Sequence, residues 1–428
     1  MRSRFWTGLV ILLCAGFCRS TAEGQSLNLR DLTPDLVRDG IRLAPPLSGI
    51  DHAAHFLDSG QFESFQEIND AIGRQIANIP ISTSAGGFAF EYDPDLMIYS
   101  RKTRTFGSTY AERPFTLGEG KFNVGVNFSR FTFDEIDDVG LREGNIKLLF
   151  THEDFDDDGP TNPQFEGDVV TAEMFWNLDS DITSLVATYG LTDRFDLAVA
   201  IPIVEVNTQV SLAAHVETQS TGDGDIHQFP NGTSDNVVTR SGSASGVGDI
   251  LLRGKYLFLS NDPNYVAFTG DVRFPSGDEK NLLGSGDFRV QGALGWAYNY
   301  GDLSPRATVG FGVSSERDEV LYGAGLDWAL DPKLSVAFDI LGRQVSEGGK
   351  ASVGSREVTY NDGTIDRTTS FDQIVFDESE SLTQIDGSIG FKLNIRGTWL
   401  VTANGFFPLT SNGLRDHFSP LIGIDYGF

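Results

Sequence analysis

The sequence predicts an all-β fold, a transmembrane antiparallel β-barrel of about 14 strands (12–16) preceded by a short, partly helical N-terminal segment. Three observations predict it. Extended segments alternate apolar and polar residues with a period of two, as strands with one oily face do. Connections alternate between short turns and long loops, the outer-membrane pattern in which the short turns are periplasmic. The stretch 419–428 keeps its alternation to the last residue, with Ile422, Ile424, Tyr426 and Phe428 on one face and Gly423, Asp425 and Gly427 on the other. An apolar final strand makes sense where it must pair, because a closed barrel has no free edge.

Composition agrees. The 428 residues contain 48 Gly, 32 Phe and only 2 Cys, and glycine with aromatics suits twisted strands and interfacial belts. The net charge of −28 excludes nucleic acid as a natural partner. Mean hydropathy is −0.16, which a lipid-spanning barrel can show because half of each strand faces a wet lumen.

Arg2 and Arg4, an apolar run over residues 5–18 and Ser20-Thr21-Ala22 form a secretory signal, residues 1–22. The run falls short of the roughly 20 residues of a membrane helix. Its removal takes Cys14 and Cys18 with it and leaves a cysteine-free mature chain. Residues 23–97 form an N-terminal periplasmic or plug segment. Phe56, Phe62, Phe65, Ile68, Ile72 and Ile76 recur at mostly helical spacing and predict an amphipathic helix ending near Pro80.

The barrel is assigned to residues 98–428, with residues 98–106 as its first strand. Phe122, Val124, Val126 and Phe128 then alternate with Asn123, Gly125, Asn127 and Ser129, and a strand at 146–150 follows. Residues 168–216 read as one long hairpin around Leu191-Thr192-Asp193, with a bulge expected near Ser180. Further strands centre on Leu251, Thr269, Ala293, Val309, Gly325, Ala337, Gly387 and Ala403, before the closing strand. Long loops are expected at 217–246, 275–286, 346–381 and 408–418. Tyr256, Phe258, Tyr265, Tyr298, Tyr300, Trp328 and Trp399 flank the short turns as an aromatic belt. The alternation turns Asp249, Arg253, Lys255, Asp271, Arg273, Asp287, Arg289, Asp327 and Asp339 inward, where charges tune which solutes pass or pair with one another to fill the barrel.

Four motifs carry a family resemblance: Tyr189-Gly190-Leu191-Thr192-Asp193-Arg194-Phe195-Asp196-Leu197; Gly246-Val247-Gly248-Asp249-Ile250; Phe274-Pro275-Ser276-Gly277-Asp278-Glu279 with Asn281-Leu282-Leu283-Gly284; and Leu414-Arg415-Asp416 into Pro420-Leu421-Ile422-Gly423. In this order they resemble the outer-membrane barrels named after the meta-pathway of phenol degradation, over roughly residues 87–428. The resemblance implies a transporter-like barrel for aromatic or other hydrophobic compounds. The Gly423, Tyr426, Phe428 ending resembles the assembly signal read by the barrel-assembly machinery.

The function expected is passive uptake of a small solute across the bacterial outer membrane, without covalent chemistry or cofactor. Partners are membrane lipid, lipopolysaccharide, the assembly machinery and the small-molecule cargo. No HExxH, GxSxG, phosphate-binding loop or dinucleotide fingerprint occurs. The competing readings are a barrel hydrolase with a site assembled from distant strands and a structural or adhesive barrel acting through acidic loops. Asp154, Asp156 and Asp158 match the first half of a calcium loop, but Phe165 stands where the bidentate glutamate belongs. The alternatives there are a calcium site and a solvated acidic loop.

Overall fold

The computed structural model describes residues 28–44, 56, 67–68, 71–76, 87–93, 98–152, 167–219, 227–315, 317–361 and 365–428. The signal segment, Phe62, Phe65 and the aspartates 154, 156 and 158 lie outside them. Helix α1 (Leu29–Gly40) is followed by helical residues at 67–68 and 71–76. The strands are β1 (Phe90–Asp93), β2 (Ile98–Arg101), β3 (Phe122–Phe133), β4 (Glu135–Ile136), β5 (Val139–Gly140), β6 (Ile146–Thr151), β7 (Val169–Thr192) and β8 (Phe195–Glu217). Next come β9 (Asp235–Val247), β10 (Ile250–Asn261), β11 (Asn264–Phe274), β12 (Arg289–Tyr298), β13 (Leu303–Ser314), β14 (Asp318–Asp331), β15 (Leu334–Val345), β16 (Lys350–Asn361) and β17 (Asp366–Asp377). The last four are β18 (Leu382–Arg396), β19 (Trp399–Pro408), β20 (Leu414–Arg415) and β21 (Ser419–Gly427).

Twelve of these strands close into an antiparallel ring, in the order β7, β3, β21, β19, β18, β15, β14, β13, β12, β11, β10, β8, with β8 pairing back to β7. Two segments expected in the ring are not in it. Residues 98–101 pair with β1 as a separate hairpin, so the barrel begins at Phe122 and not at residue 98. β6 pairs only with residues 169–174 of β7, beyond the ring. Closure joins β3 to β21, where Phe122 and Phe428 exchange two backbone hydrogen bonds of 2.8 Å. Among the described residues no helix is long and apolar enough to cross a membrane; the crossing is made by strands.

The long β7–β8 hairpin runs through two environments. Side chains of even number point inward along its whole length, so β7 has no bulge at Ser180; its register shifts only between Gly190 and Thr192. What changes is the chemistry of each face. Near the short turn the outer face is Leu185, Ala187 and Tyr189 on β7 with Leu197, Val199 and Ile201 on β8, and the inner face includes Ser184 and Thr188. Farther out the outer face becomes Glu173, Asn177, Asp179 and Asp181, opposite Glu205, Asn207 and Gln209, while the inner face becomes Met174, Trp176, Leu178, Val206, Val210 and Leu212. β3 does the same: Val124, Val126 and Phe128 give way at Arg130, which lies 3.7 Å from Asp181. The oily face swaps sides where the strands leave hydrocarbon, and this swap mimics a bulge in the sequence.

Beyond that line the apolar inner faces enclose a second core. Leu29, Leu32, Leu36, Val37, Ile68, Ile72 and Ile76 pack into it with Trp176, Leu178, Val206 and Leu212. Asn236 donates to the Gly40 carbonyl at 2.8 Å, and the backbone of Leu414 donates to Gln75 at 2.7 Å. The described residues between 28 and 76 therefore fill the mouth at the long-loop end, whereas residues 87–93 lie at the short-turn end, with Phe88 packed against Leu400. β9 and the β16–β17 hairpin lie in stretches expected to be loops. They project past the membrane and need no lipid face, so they lack the apolar alternation that marks the other strands. Of the expected belt, Tyr256, Phe258, Tyr300, Trp328 and Trp399 face outward, whereas Tyr265 is buried and donates to Asp262 at 3.3 Å. Its parity matches Asp271 and Arg273 on the inner face of β11.

Candidate functional site

Residues 102–117 enter the lumen from the short-turn end, rise to an apex at Tyr110–Glu112 and descend into β3. Lys102 donates to Ser260 and Arg104 to Asp302, both at 2.9 Å, beside the turns at the rim. The Phe106 backbone donates to Ser335 at 3.0 Å, Ser108 donates to Asp339, and Lys392 donates to the Ser108 carbonyl at 3.0 Å. On the return, Lys255 donates to the Phe115 carbonyl at 3.3 Å, and the Leu117 backbone donates to Asp196 at 2.9 Å. Irregular backbone at membrane depth must find its partners within the protein, and the inward polar residues of the wall supply them. Phe106 and Phe115 are fully buried, the latter against Tyr265 at a ring distance of 4.8 Å.

Above the apex lies a cavity of about 260 Å³, roofed by Gln75 and the 408–419 loop. Its wall is lopsided. β3 and β19 present Phe131, Phe133 and Phe406, with Tyr110 of the luminal segment 5.1 Å from Phe406. Farther round the ring, β10, β11 and β12 present Arg253, Arg273 and Arg289, and β15, next but one to β19, presents Arg343. Among the described residues, six arginines and four carboxylates line the chamber.

The charges are organised. Arg253 holds Asp271 bidentately at 2.6 and 2.7 Å and Glu112 of the luminal apex at 2.6 Å. Lys255 also contacts Glu112. Arg306 is clamped between Asp327 and Asp339 below the chamber. Arg289 and Arg343 share one carboxylate, Glu319, the latter at 2.7 Å. In the covering loop, Arg415 donates to Asp386 at 2.5 Å. Desolvation in that loop raises the Asp416 carboxyl above its ordinary range, although it accepts from the Thr132 backbone at 2.9 Å.

Of the nine sequence-derived lumen residues, seven lie inside the ring, and two, Asp249 and Asp287, lie at its long-loop end. Arg253, Asp271, Arg273 and Arg289 line the chamber. Lys255, Asp327 and Asp339 lie deeper and engage the luminal segment or Arg306. Asp249 accepts from the backbones of Gly277 and Ser285, at 3.1 and 2.8 Å, and pins the loop after β11. Asp287 lies at the rim, accepting from Ser315. Sequence reasoning passed over Arg306, Glu319 and Asp386, although their parity on β13, β14 and β18 was readable. Glu112 and Arg113 sit on an aperiodic segment that gave no such signal. Gly423 places its backbone against Asn127, while Tyr426 and Phe428 form an outward aromatic cluster with Trp399 and Phe122. Among the described residues no group of His, Cys, Asp or Glu could hold a metal ion.

The ring, its apolar exterior and its internal chamber define a membrane-spanning antiparallel β-barrel of outer-membrane type. The family model described as "Putative MetA-pathway of phenol degradation" matches residues 161–411, more than half of the chain, and the chain belongs to that family. Solved structures with similar folds include an outer membrane channel from Pseudomonas putida F1 (14% identity, 73% of this chain and 97% of that one, TM-score 0.39). A Pseudomonas aeruginosa FadL homologue matches at 11% identity, covering 82% and 97%, with TM-score 0.33. The TodX monoaromatic hydrocarbon channel matches at 9% identity, covering 84% and 99%, with TM-score 0.34. No curated protein matches the chain.

Proposed function

We propose that the chain is an outer-membrane channel for passive uptake of a small aromatic or otherwise hydrophobic solute. The observation that carries this reading is the phenylalanine-walled chamber enclosed within the membrane-crossing barrel. Membership in a family described by phenol degradation supports an aromatic cargo. With short turns facing the periplasm, solute reaches the chamber from the long-loop end when Gln75 and the 408–419 loop that roof it move aside, and leaves when residues 102–117 shift. Polar ties that hold this segment, such as Glu112 to Arg253, can reform with water as it moves. Lipopolysaccharide around the outer loops and assembly machinery acting on Gly423, Tyr426 and Phe428 are partners this reading implies.

Planar-bilayer recordings of the refolded full chain test it. Glu112→Ala releases the apex and is expected to raise conductance several-fold over the wild type. A tight baseline in both proteins would end the channel reading.

A further inference from the structure

We infer that Gly295 sets the size of solute the chamber accepts: its missing side chain leaves a shallow recess in the wall, and with that recess the chamber takes a flat, uncharged solute of two fused rings. The inference rests on the channel reading and names the class of its solute.

Glycine inside a strand weakens it and offers no side chain to pack, so it marks a bulge, a tight bend, or the close approach of another backbone or a ligand. Among the described residues three glycines line the chamber: Gly295, Gly323 and Gly342. The wall itself accounts for two of them. A Cβ at Gly342 would run into the ring of Tyr322, and one at Gly323 would lie 3.2 Å from the Ile340 carbonyl oxygen and 3.3 Å from Leu341. Gly295 is different. Among the described residues, a Cβ there would meet only the Thr308 hydroxyl, at 3.8 Å, an ordinary contact. Its φ is not positive, and it pairs in unbroken register with Ala267 on β11 and Thr308 on β13. Neither bend, bulge nor packing calls for glycine at 295, and what its absent side chain leaves is room inside the chamber.

The surroundings say what that room suits. Ala267 and Thr308 flank Gly295 across the two ladders, Ala293 is its neighbour on the inner face of β12, and all three line the chamber. They are short and uncharged. β12 and β13 stand opposite β21 and β3 in the twelve-strand ring, so this bare stretch lies on the other side of the chamber from Phe131 and Phe133. An aromatic solute resting on the phenylalanines has uncharged space before it in that direction. Volume sets the scale. An apolar cavity of about 150 Å³ holds benzene, and the usual range for drug-sized ligands begins at about 300 Å³. The chamber, at about 260 Å³, has space for a second fused ring and stops short of a larger ligand.

Calorimetric titration of the full refolded chain, against micelle blanks at neutral pH, tests this with phenol and 2-naphthol, both uncharged there. The wild type is expected to bind 2-naphthol at least about tenfold more tightly than phenol, because the second ring buries further apolar surface. Gly295→Val fills the recess and should weaken 2-naphthol about tenfold or more while changing phenol by less than about twofold. Gly295→Ala should fall between the two and leave the urea midpoint unchanged or raised, since nothing packs where its methyl group goes. Heat-modifiable gel migration reports whether each variant is folded, and Gly295→Ala decides the matter if Gly295→Val is not. Equal weakening of both probes, or of neither, overturns the inference, as does a wild type with no preference for the larger ring. A lowered urea midpoint in Gly295→Ala overturns it too, because packing would then require the glycine. Failure of both probes to bind overturns the inference and leaves the channel standing if the bilayer conductance persists; with a tight electrical baseline the channel reading falls as well.

Discussion

Arg306 illustrates how single residues hold this barrel. Its guanidinium is buried between Asp327 and Asp339, themselves nearly inaccessible. Removing one member of such a group leaves uncompensated charge, at a cost of about 3–5 kcal/mol. Arg306→Met is therefore expected to lower the urea midpoint of the refolded barrel markedly, while Arg306→Met combined with Asp327→Asn and Asp339→Asn recovers much of the loss. His417 offers a milder, pH-dependent contact. It lies 2.7 Å from Asp134 in the outer loops, and that hydrogen bond raises its pKa above 6.5. A raised histidine pKa contributes stability fully below the ordinary value and loses it as pH rises through the folded-state value. Because His417 is largely exposed, the effect is small. Hydrogen exchange of residues 413–418, corrected for its intrinsic pH dependence, should show protection falling as pH rises in the wild type and staying flat in His417→Gln. Residues of this kind were unevenly legible. Parity alone placed Asp327 and Asp339 inside, but nothing local marked Glu112, whose position depends on a segment folded back through the lumen.

At the scale of elements, the face swap along β3, β7 and β8 separates the part of each strand solvated by lipid from the part solvated by water. Arginine on the lipid face of a barrel near the midplane costs roughly 2–4 kcal/mol. Leu185→Arg should therefore impair folding into bilayers by about that much, whereas Asn177→Arg, outward on the same strand, stays within about 0.5 kcal/mol. Urea titration of both in vesicles makes the comparison. The same physics explains which strands could be read from sequence. β10 to β15, β18, β19 and β21 touch hydrocarbon along one flank and announce themselves. β9, β16 and β17 lie beyond the hydrocarbon, carry no lipid-facing stripe and read as loops in the sequence. Residues 98–101 and β6 have strand chemistry, but whether a strand joins the ring depends on its neighbours, which local pattern does not specify.

At the scale of the molecule there are two interiors. The lower one is polar, tied together by ion pairs and by the luminal segment. The upper one is apolar and built around α1 and the helical residues near Ile72. They should melt separately. Leu36 is completely buried in the upper interior, and Leu36→Ala is expected to cost about 2–5 kcal/mol there. Native-state hydrogen exchange should then show protection lost over residues 205–216 of β8 and kept over residues 196–202. Loss of protection along the whole strand would mean a single cooperative unit. This division was the least legible feature, because the N-terminal segment has to be placed at one end of the barrel or the other before its helices acquire meaning.

The swap of faces also fixes a waterline. On neighbouring strands Arg130, Asp181 and Glu205 stand at nearly one height, and a slip of two residues outward or inward would drag acids into oil or lift leucines out of it. Draught is thus written into the chain and cannot be trimmed. Where the surrounding leaflet carries longer acyl tails, it is the lipids that must tilt or thin around the protein, and the barrel will gather in patches of membrane that already match it.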